Sequence, residues 1–410
     1  MICSWQKMKL EDLGKIVGGG TPSTKIASYY GGDIPWITPK DLSNNESKYI
    51  SRGERNITKE GLDNSSAKIL PKGTVLFSSR APIGYIAIAS QELATNQGFK
   101  SIIPNKKTTS DFLYYLLINN IENIKSQGSG STFSEVSGRV MKNINVTVPP
   151  LKIQNKISAI LSNLDQKIAT NNKIIANLEA QAQAIFKSWF IDFEPFQDGE
   201  FIDSELGRIP KGWTVARIKD LSKSVVTGKT PPTKNKKFYG GSLPFITIPD
   251  MHNNTYIVTT ERYLSNEGEL SQPNKTIPAD TICVSCIATV GLVILTSENS
   301  QTNQQINSII PNVDYLTYYL YLTMKNSYEY LNAIGSGGST TKNINKKSFE
   351  NLSVIYPPKC YLIDFHNIIY PHFKMIKSLE QENITLSKLR DTLLPKLMSG
   401  EIDVSQISKN

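Results

Sequence analysis

Four cysteines in 410 residues are too few for a disulfide framework. Cys283-Val284-Ser285-Cys286 has the spacing of a metal or redox pair, but Cys3 and Cys360 are single and distant, so no second pair completes a zinc site. The surrounding Ile-Cys-Val-Ser-Cys-Ile run reads as a buried strand. The three histidines, His252, His366 and His372, have no metal-ligand spacing. No apolar run approaches the roughly 18 residues of a membrane span, and no apolar segment follows a basic start. The chain is therefore expected in the cytoplasm, without a membrane partner and without a metal of its own.

Motifs that would signal chemistry are missing too. Gly228-Lys229-Thr230 resembles the end of a phosphate-binding loop, but the required Gly five places earlier is Lys223, and Pro231-Pro232 opposes the helix that would follow. Gly18-Gly19-Gly20 leads into Thr-Pro-Ser rather than a helix, which suits a tight turn better than a dinucleotide fingerprint. Val148-Pro149-Pro150-Leu151 lacks the amide or acid that amino-methyltransferases place before such prolines. No paired acid and base and no activated nucleophile can be assembled, so no catalytic residue is expected. The sequence argues for a binder.

What the chain does have is helix and repetition. Between Lys152 and Phe193 there is neither Pro nor Gly. From Ile157 the residues step 4-3-4-3 through Leu161, Leu164, Ile168, Asn171, Ile175, Leu178, Ala182 and Ile185, which is a coiled-coil seam. About 38 helical residues at ~1.5 Å each make a rod roughly 57 Å long, and its single apolar stripe needs a partner. The same grid returns 208 residues on, at Phe365, Ile369, His372, Ile376, Leu379, Asn383, Leu386, Arg390 and Leu393. This second seam is less regular, since His372 and Arg390 sit on it and Pro371 either kinks the helix or opens it. Asn171 and Asn383, one per seam, either fix register or are tolerated near a solvated edge.

The heads repeat as well. Tyr29-Tyr30-Gly31-Gly32-Asp33-Ile34-Pro35-Trp36 matches Phe238-Tyr239-Gly240-Gly241-Ser242-Leu243-Pro244-Phe245, and Thr95-Asn96-Gln97 through Asn105 matches Thr302-Asn303-Gln304 through Asn312. Gly130-Ser131-Thr132 matches Gly338-Ser339-Thr340, and Pro149-Pro150 matches Pro357-Pro358. Short β-branched runs (75–77, 86–89, 281–284, 292–295) and one amphipathic helix per head (111–120, 315–325) indicate a mixed α/β, or α+β, texture. The expected organisation is a head at 1–150, a central helix at 151–194, a linker at 195–212, a second head at 213–358, a second helix at 359–399 and a tail at 400–410. Basic residues exceed acidic ones by six in residues 1–150 and by four in 201–360, while 151–200 and 361–410 carry −1 and 0. All the excess of the +9 chain thus lies in the heads, which points to an acidic partner there.

Within the heads, Thr38-Pro39-Lys40-Asp41 and Ser78-Ser79-Arg80-Ala81-Pro82 set polar and basic groups near aromatics. Asn96-Gln97 and Asn303-Gln304 either read adenine edges from a groove or cap turns. Their recurrence favours the second role, because heads that read different sequences must differ where they touch bases. Divergent positions are then the expected contacts: Lys25, Lys40, Lys48, Arg52, Arg55 and Arg80 in the first head, and Lys229, Lys234, Lys236, Lys237, His252, Asn253 and Asn254 in the second. Lys234-Asn235-Lys236-Lys237 is the densest basic cluster and reads as a phosphate clamp or as a solvated loop.

Three further segments carry a family resemblance: Ala182-Gln183-Ala184-Ile185-Phe186-Lys187-Ser188-Trp189-Phe190 with Ile191 to Phe196, Gly207-Arg208-Ile209-Pro210-Lys211-Gly212-Trp213, and Leu389-Arg390-Asp391-Thr392-Leu393-Leu394-Pro395-Lys396 with Leu397 to Ile402. With two divergent heads and two similar long helices, the whole chain resembles the specificity subunit of type I restriction-modification systems. The resemblance implies two target recognition domains, each reading one half of a bipartite target in the major groove of double-stranded DNA. It implies antiparallel helices that set the spacer and dock two modification (methyltransferase) subunits, with pseudo-twofold internal symmetry. Two ATP-dependent restriction subunits complete such complexes, and S-adenosylmethionine, ATP and Mg belong to the partners. The specificity subunit itself is non-catalytic. A coiled-coil adaptor whose heads bind protein is the competing reading from the residues alone.

Overall fold

Each head starts and finishes on one two-stranded antiparallel ribbon, Gln6–Lys9 with Asn145–Val148 in the first and Thr214–Arg217 with Ser353–Tyr356 in the second. The Pro-Pro pairs follow at once. A residue before Pro avoids the helical region, so the chain stays extended there, and the long helices begin immediately after, at Leu151 and Lys359. The computed structural model describes residues 5–45, 47–129, 134–335 and 342–406; the paired segments 130–132 and 338–340, and Cys3, lie outside them.

Each head holds the same two sheets. In the first, five strands run in the order Gly14–Gly18, Lys100–Pro104, Val75–Ser79, Ile83–Ala89 and Tyr49–Ile50, and three in the order Arg55–Ile57, Tyr30–Ile37 and Ala94–Thr95. In the second, the orders are Ser222–Thr227, Ile306–Pro311, Ile282–Ser285, Val293–Thr296, Tyr256–Ile257 and Arg262–Leu264, Tyr239–Ile246, Gln301–Thr302. Most pairings are antiparallel, and the strands Val75–Ser79 and Ile282–Ser285 are buried along their whole length. The amphipathic helices expected from sequence lie at Ser110–Asn119 and Thr317–Asn326. The fold class is thus two tandem α/β heads with two long helices.

The chain divides into two compact units, Met1–Ala169 with Leu386–Asn410, and Thr170–Thr385. In the first unit the core of the head continues onto Ile153, Ile157 and Leu161 of the central helix and Leu394, Leu397 and Met398 of the C-terminal helix. In the second it continues onto Ala182, Phe186 and Phe190 of the central helix and Leu362, Phe365, Ile369, Phe373 and Ile376 of the C-terminal helix. Every apolar seam residue is buried or half-buried: Ile157, Leu161, Phe365, Ile369, Ile376 and Leu379 are buried, and Leu164, Ile168, Ile175, Leu178, Ile185, Leu386 and Leu393 half-buried. Within the second unit the helices run antiparallel, since Asn171 pairs with Asn383 and Gln181 with His372.

The polar seam positions are satisfied. Asn171 Nδ2 donates to Asn383 Oδ1 at 2.9 Å, and Asn383 Nδ2 to Asn172 at 2.7 Å. Arg390, in the first unit, donates to Asp165 at 2.8 Å, and burial of that pair is offset by the charge-assisted bond. The C-terminal helix has the expected bounds, Lys359 to Ser399, so Pro371 does not open it but lies exposed within it. One expectation is corrected. The central helix stops at Phe190 rather than continuing to Phe193, whose backbone turns left-handed at φ 53. Beyond it, residues 195–212 form an ordered connection with a hairpin, Phe201–Ser204 against Gly207–Pro210.

The motif after the central helix is explained by an aromatic knot. Phe190 packs edge-on against Phe365 at 4.8 Å and beside Trp213 at 5.9 Å, and Phe196 meets Trp213 at 4.9 Å. Aromatic pairs of this kind add about 0.5–1.5 kcal/mol each beyond their burial. Cys283 and Cys286 are buried in the sheet of the second head, where loss of solvent pushes their thiols up to about 12 and about 11. No group of three metal-ligating side chains occurs among the described residues. Among them, no helix is long and apolar enough to cross a membrane.

Candidate nucleic-acid interface

At one end of each five-stranded sheet the loops are built on a common frame. Asn96 and Asn303 accept from the backbone N–H two residues on, at Gly98 (2.9 Å) and Gln305 (3.0 Å). Gln97 and Gln304 accept from the hydroxyls of Thr21 and Thr230. The recurring amides are therefore turn-builders, as their recurrence suggested. The strand ends Val75–Ser79 and Ile282–Ser285 lead into matching turns. Ala81 and Ala288 have φ of 52 and 63, and Gly84 and Gly291 have 105 and 94. A β-carbon on Gly84 would come within 2.7 Å of the Ile121 side chain, so the turn needs glycine for space as well as for its backbone angle.

The strand register assigns equivalents between the heads. Arg55 pairs with Trp36 as Arg262 pairs with Phe245, so an arginine recurs at this position. Tyr30 donates to the Pro22 carbonyl as Tyr239 does to that of Pro231, which sets Lys25 against Lys234. Lys25, Arg55 and Lys234 are thus recurring positions and not, as expected from sequence, divergent ones. Lys236 and Lys237 stand where the first head has Ala27 and Ser28, and Lys229 where it has Gly20. Those remain divergent.

In the first head, Lys25, Arg52 and Arg55 are exposed and make no ion pair among the described residues. Lys40 bonds Glu54 at 2.9 Å on the surface, a contact worth little in water. Arg80 lies 3.5 Å from Glu135, which also meets Lys100 at 3.2 Å. Lys48 is different: its side chain is 7% exposed, 2.6 Å from Asp111, bonded to Ser162 of the central helix at 2.8 Å and over the Tyr115 ring. It fastens the head to the helix and is not available to a ligand.

In the second head, Lys236 and Lys237 sit on a tight turn that Asn235 closes by accepting from the Lys237 N–H. Lys236, Tyr239, Gly240, Gly241 and Arg262 line a cleft of about 820 Å³, with Glu261 on its wall. Burial raises the Tyr239 phenol above its ordinary range, and neighbouring Arg262 works against that rise. Lys229 and Lys234 are exposed nearby in sequence. Asn253 does not join them. It takes φ 59 and lines a separate cavity with Glu179 and Glu380, while Asn254 folds its amide onto the Asp250 and His252 carbonyls. This loop packs on the helices.

Arg262, Lys100 and Glu135 were not singled out from sequence. Arg262 lies 17 residues after Phe245 whereas Arg55 lies 19 after Trp36, so the spacing hid their equivalence and only the strand register shows it; Lys100 was legible from its place inside a repeated segment where the second copy has Asn307. Glu135 carried no local signal.

The family model described as the type I restriction modification DNA specificity domain matches residues 3–180 and 210–361, one match per head. The chain is 37% identical to the type I restriction enzyme MjaIX specificity subunit of Methanocaldococcus jannaschii, over 98% of this chain and 94% of that protein. It is 33% identical to the HindI specificity subunit of Haemophilus influenzae, over 90% and 94%. Among solved structures, the type I S subunit from M. genitalium aligns with a TM-score of 0.61 at 15% identity, covering 96% of both chains, and shares the fold.

Proposed function

The chain belongs to the type I restriction-modification specificity family, and from that premise we propose that it is the non-catalytic subunit that reads a bipartite sequence in double-stranded DNA. Each head reads one half-site through the major groove, using the loop rim described above. The paired helices fix the gap between half-sites and dock two modification subunits. Two restriction subunits complete the complex, in the cytoplasm. S-adenosylmethionine, ATP and Mg serve the partners, and this chain contributes recognition alone.

The observation that carries the reading is the separate match of the DNA specificity domain to each head, on frames whose basic side chains differ. A shared frame gives both heads the same approach to a groove, and different side chains give them different sequences. In the second head, Lys236 and Arg262, lining one cleft with Gly240 and Gly241, suit a backbone phosphate, since glycines allow close approach and the fork of Arg bonds two oxygens.

Co-expression with the modification subunit in a methylation-free host, followed by genome-wide mapping of N6-methyladenine, tests the proposal. A single bipartite motif with a fixed gap is expected. A stable complex with an active partner and no methylation would overturn base reading by the heads.

A further inference from the structure

Resting on the DNA-reading role above, we infer that Arg80, Lys100 and Glu135 form the base-reading group of the first head, and that its half-site contains a guanine with no equivalent contact in the second head. The three side chains meet at the ends of two central strands. Glu135 stands between the cations, 3.5 Å from Arg80 Nη1 and 3.2 Å from Lys100 Nζ. Lys100 is only 16% exposed, 3.5 Å from Ser79 Oγ, and its stem passes 3.9 Å from the point where a β-carbon on Gly138 would lie. It is a placed lysine rather than a solvated one.

Arg80 is 36% exposed and makes no other hydrogen bond among the described residues. The turn that carries it has Ala81 and Pro82 exposed beside it. Glu135 thus holds a half-exposed guanidinium whose remaining donors find no partner among the described residues. A purely structural arginine would be expected to have those donors engaged by the protein.

The second head supplies the control. Val136 N–H donates to the Ser79 carbonyl as Ile344 N–H does to that of Cys286. Gly18 pairs with Lys100 as Thr227 pairs with Asn307. By this register Arg80, Lys100 and Glu135 become Ile287, Asn307 and Asn343. Asn307 is committed internally, accepting from Thr227 Oγ1 at 2.6 Å and donating to the Ile344 carbonyl at 3.3 Å. One scaffold therefore carries a charged triad in one head and an uncharged set in the other, at the same backbone positions.

Guanine is the base whose major-groove edge offers two adjacent acceptors, O6 and N7, to the fork of an arginine, while a carboxylate accepts from the cytosine amino group. Isoleucine offers only apolar contact, such as with a thymine methyl. The triad keeps one net positive charge, and Glu135 holds both cations, so less side-chain freedom is lost on binding.

The test maps N6-methyladenine produced by the co-expressed modification complex for the wild-type chain and for Arg80→Met, Arg80→Lys and Glu135→Gln. The wild type should give a bipartite motif with a required guanine in one half. Arg80→Met should relax that position, raising methylation at the other three bases by about tenfold or more relative to the guanine site, and leave the other half unchanged. Arg80→Lys keeps the pair with Glu135 but loses the fork, so it should fold as the wild type does and relax the same position. Glu135→Gln should relax it less. A wild-type bipartite motif that Arg80→Lys and Arg80→Met leave intact at every base overturns this inference while sparing the DNA-reading role. Absence of any bipartite motif in the wild type overturns both.

Discussion

The two units share a backbone plan and fasten their heads to the helices with different polar contacts at the same backbone position. In the first, the cation belongs to the head: Lys48 is driven into the junction, where Asp111, Ser162 and the Tyr115 ring receive it, and Tyr115 bonds Asp165 of the central helix. In the second, the anion belongs to the helix. Glu380 accepts from the Thr255 and Tyr256 backbone N–H groups at 2.9 Å each, and Glu179 bonds the Thr255 hydroxyl. Thr255 stands where the first head has Lys48, one residue before the paired Tyr49–Ile50 and Tyr256–Ile257 strands. The helix ends differ as well: Phe186, Trp189 and Phe190 occupy the positions that Leu394, Leu397 and Met398 hold 208 residues later. The topology requires a polar contact and an apolar plug at each junction. It does not dictate which chemistry provides them.

The largest effect should come from the aromatic plug. Phe190 touches Phe186, Trp189, Trp213, Tyr319 and Phe365. Phe190→Ala should cost about 3–5 kcal/mol in urea unfolding of the whole chain, against about 2–4 for Met398→Ala, which removes a smaller, unbranched side chain without ring contacts. Equal losses would mean that the ring contacts add nothing beyond burial.

A pH titration of stability separates the junctions next. Burial raises the Glu380 carboxyl from 4.5 to about 7, assisted by Glu179 and opposed by the two backbone donors and Lys325. A carboxyl whose folded value lies above its unfolded one binds its proton more tightly in the folded state. Its contribution is therefore complete below about 4.5 and is lost as pH rises through about 7. Between those limits it amounts to about 3 kcal/mol at most. Glu380→Gln should flatten the profile in that window, and a profile unchanged by it would place the titration elsewhere.

Lys48→Met, in the first unit, should cost about 1–3 kcal/mol, since Asp111 and Ser162 lose the ammonium donor while Asp111 keeps the Tyr49 hydroxyl and part of its hydration. The measurement is again urea unfolding at neutral pH. A neutral result would make the lysine dispensable to the junction and free it for another role.

These contrasts bear on what the sequence could reveal. The helices, their seams and the repeat were legible because each rests on a period: 3.5 residues for the seam and about 208 for the copies. Helix starts were legible from the Pro-Pro pairs. Pro371 left two readings open in the sequence, and the fold keeps it inside the helix because a long helix packed on both sides of it survives the loss of one hydrogen bond. Lys48 misled. A lysine in a polar loop looks solvated until the fold brings Asp111, 63 residues away, against it, and no local pattern announces that contact. The candidate-site residues were half legible. Positions inside repeated segments, such as Lys100, can be compared between copies, but Glu135 enters only through tertiary placement.

The smallest effect sharpens the comparison of the heads on DNA. Both carry the recurring pairs Lys25 with Lys234 and Arg55 with Arg262, and only the second adds Lys236 and Lys237 to the same turn. If recurring cations hold phosphates, Lys25→Ala and Lys234→Ala should weaken binding uniformly across sequences, and each should reduce the slope of log affinity against log salt by about 0.9. Lys236→Ala should do the same in the second head, with a few-fold loss of affinity at moderate salt, and Ala27→Lys should add a like increment to the first. Lys236→Glu should weaken binding to all sequences further. Titrations on specific and unrelated duplexes at several salt concentrations check this. An effect of Lys236→Ala confined to the specific duplex would move that residue from the backbone to a base, and an unchanged slope would return the whole lysine turn to solvent.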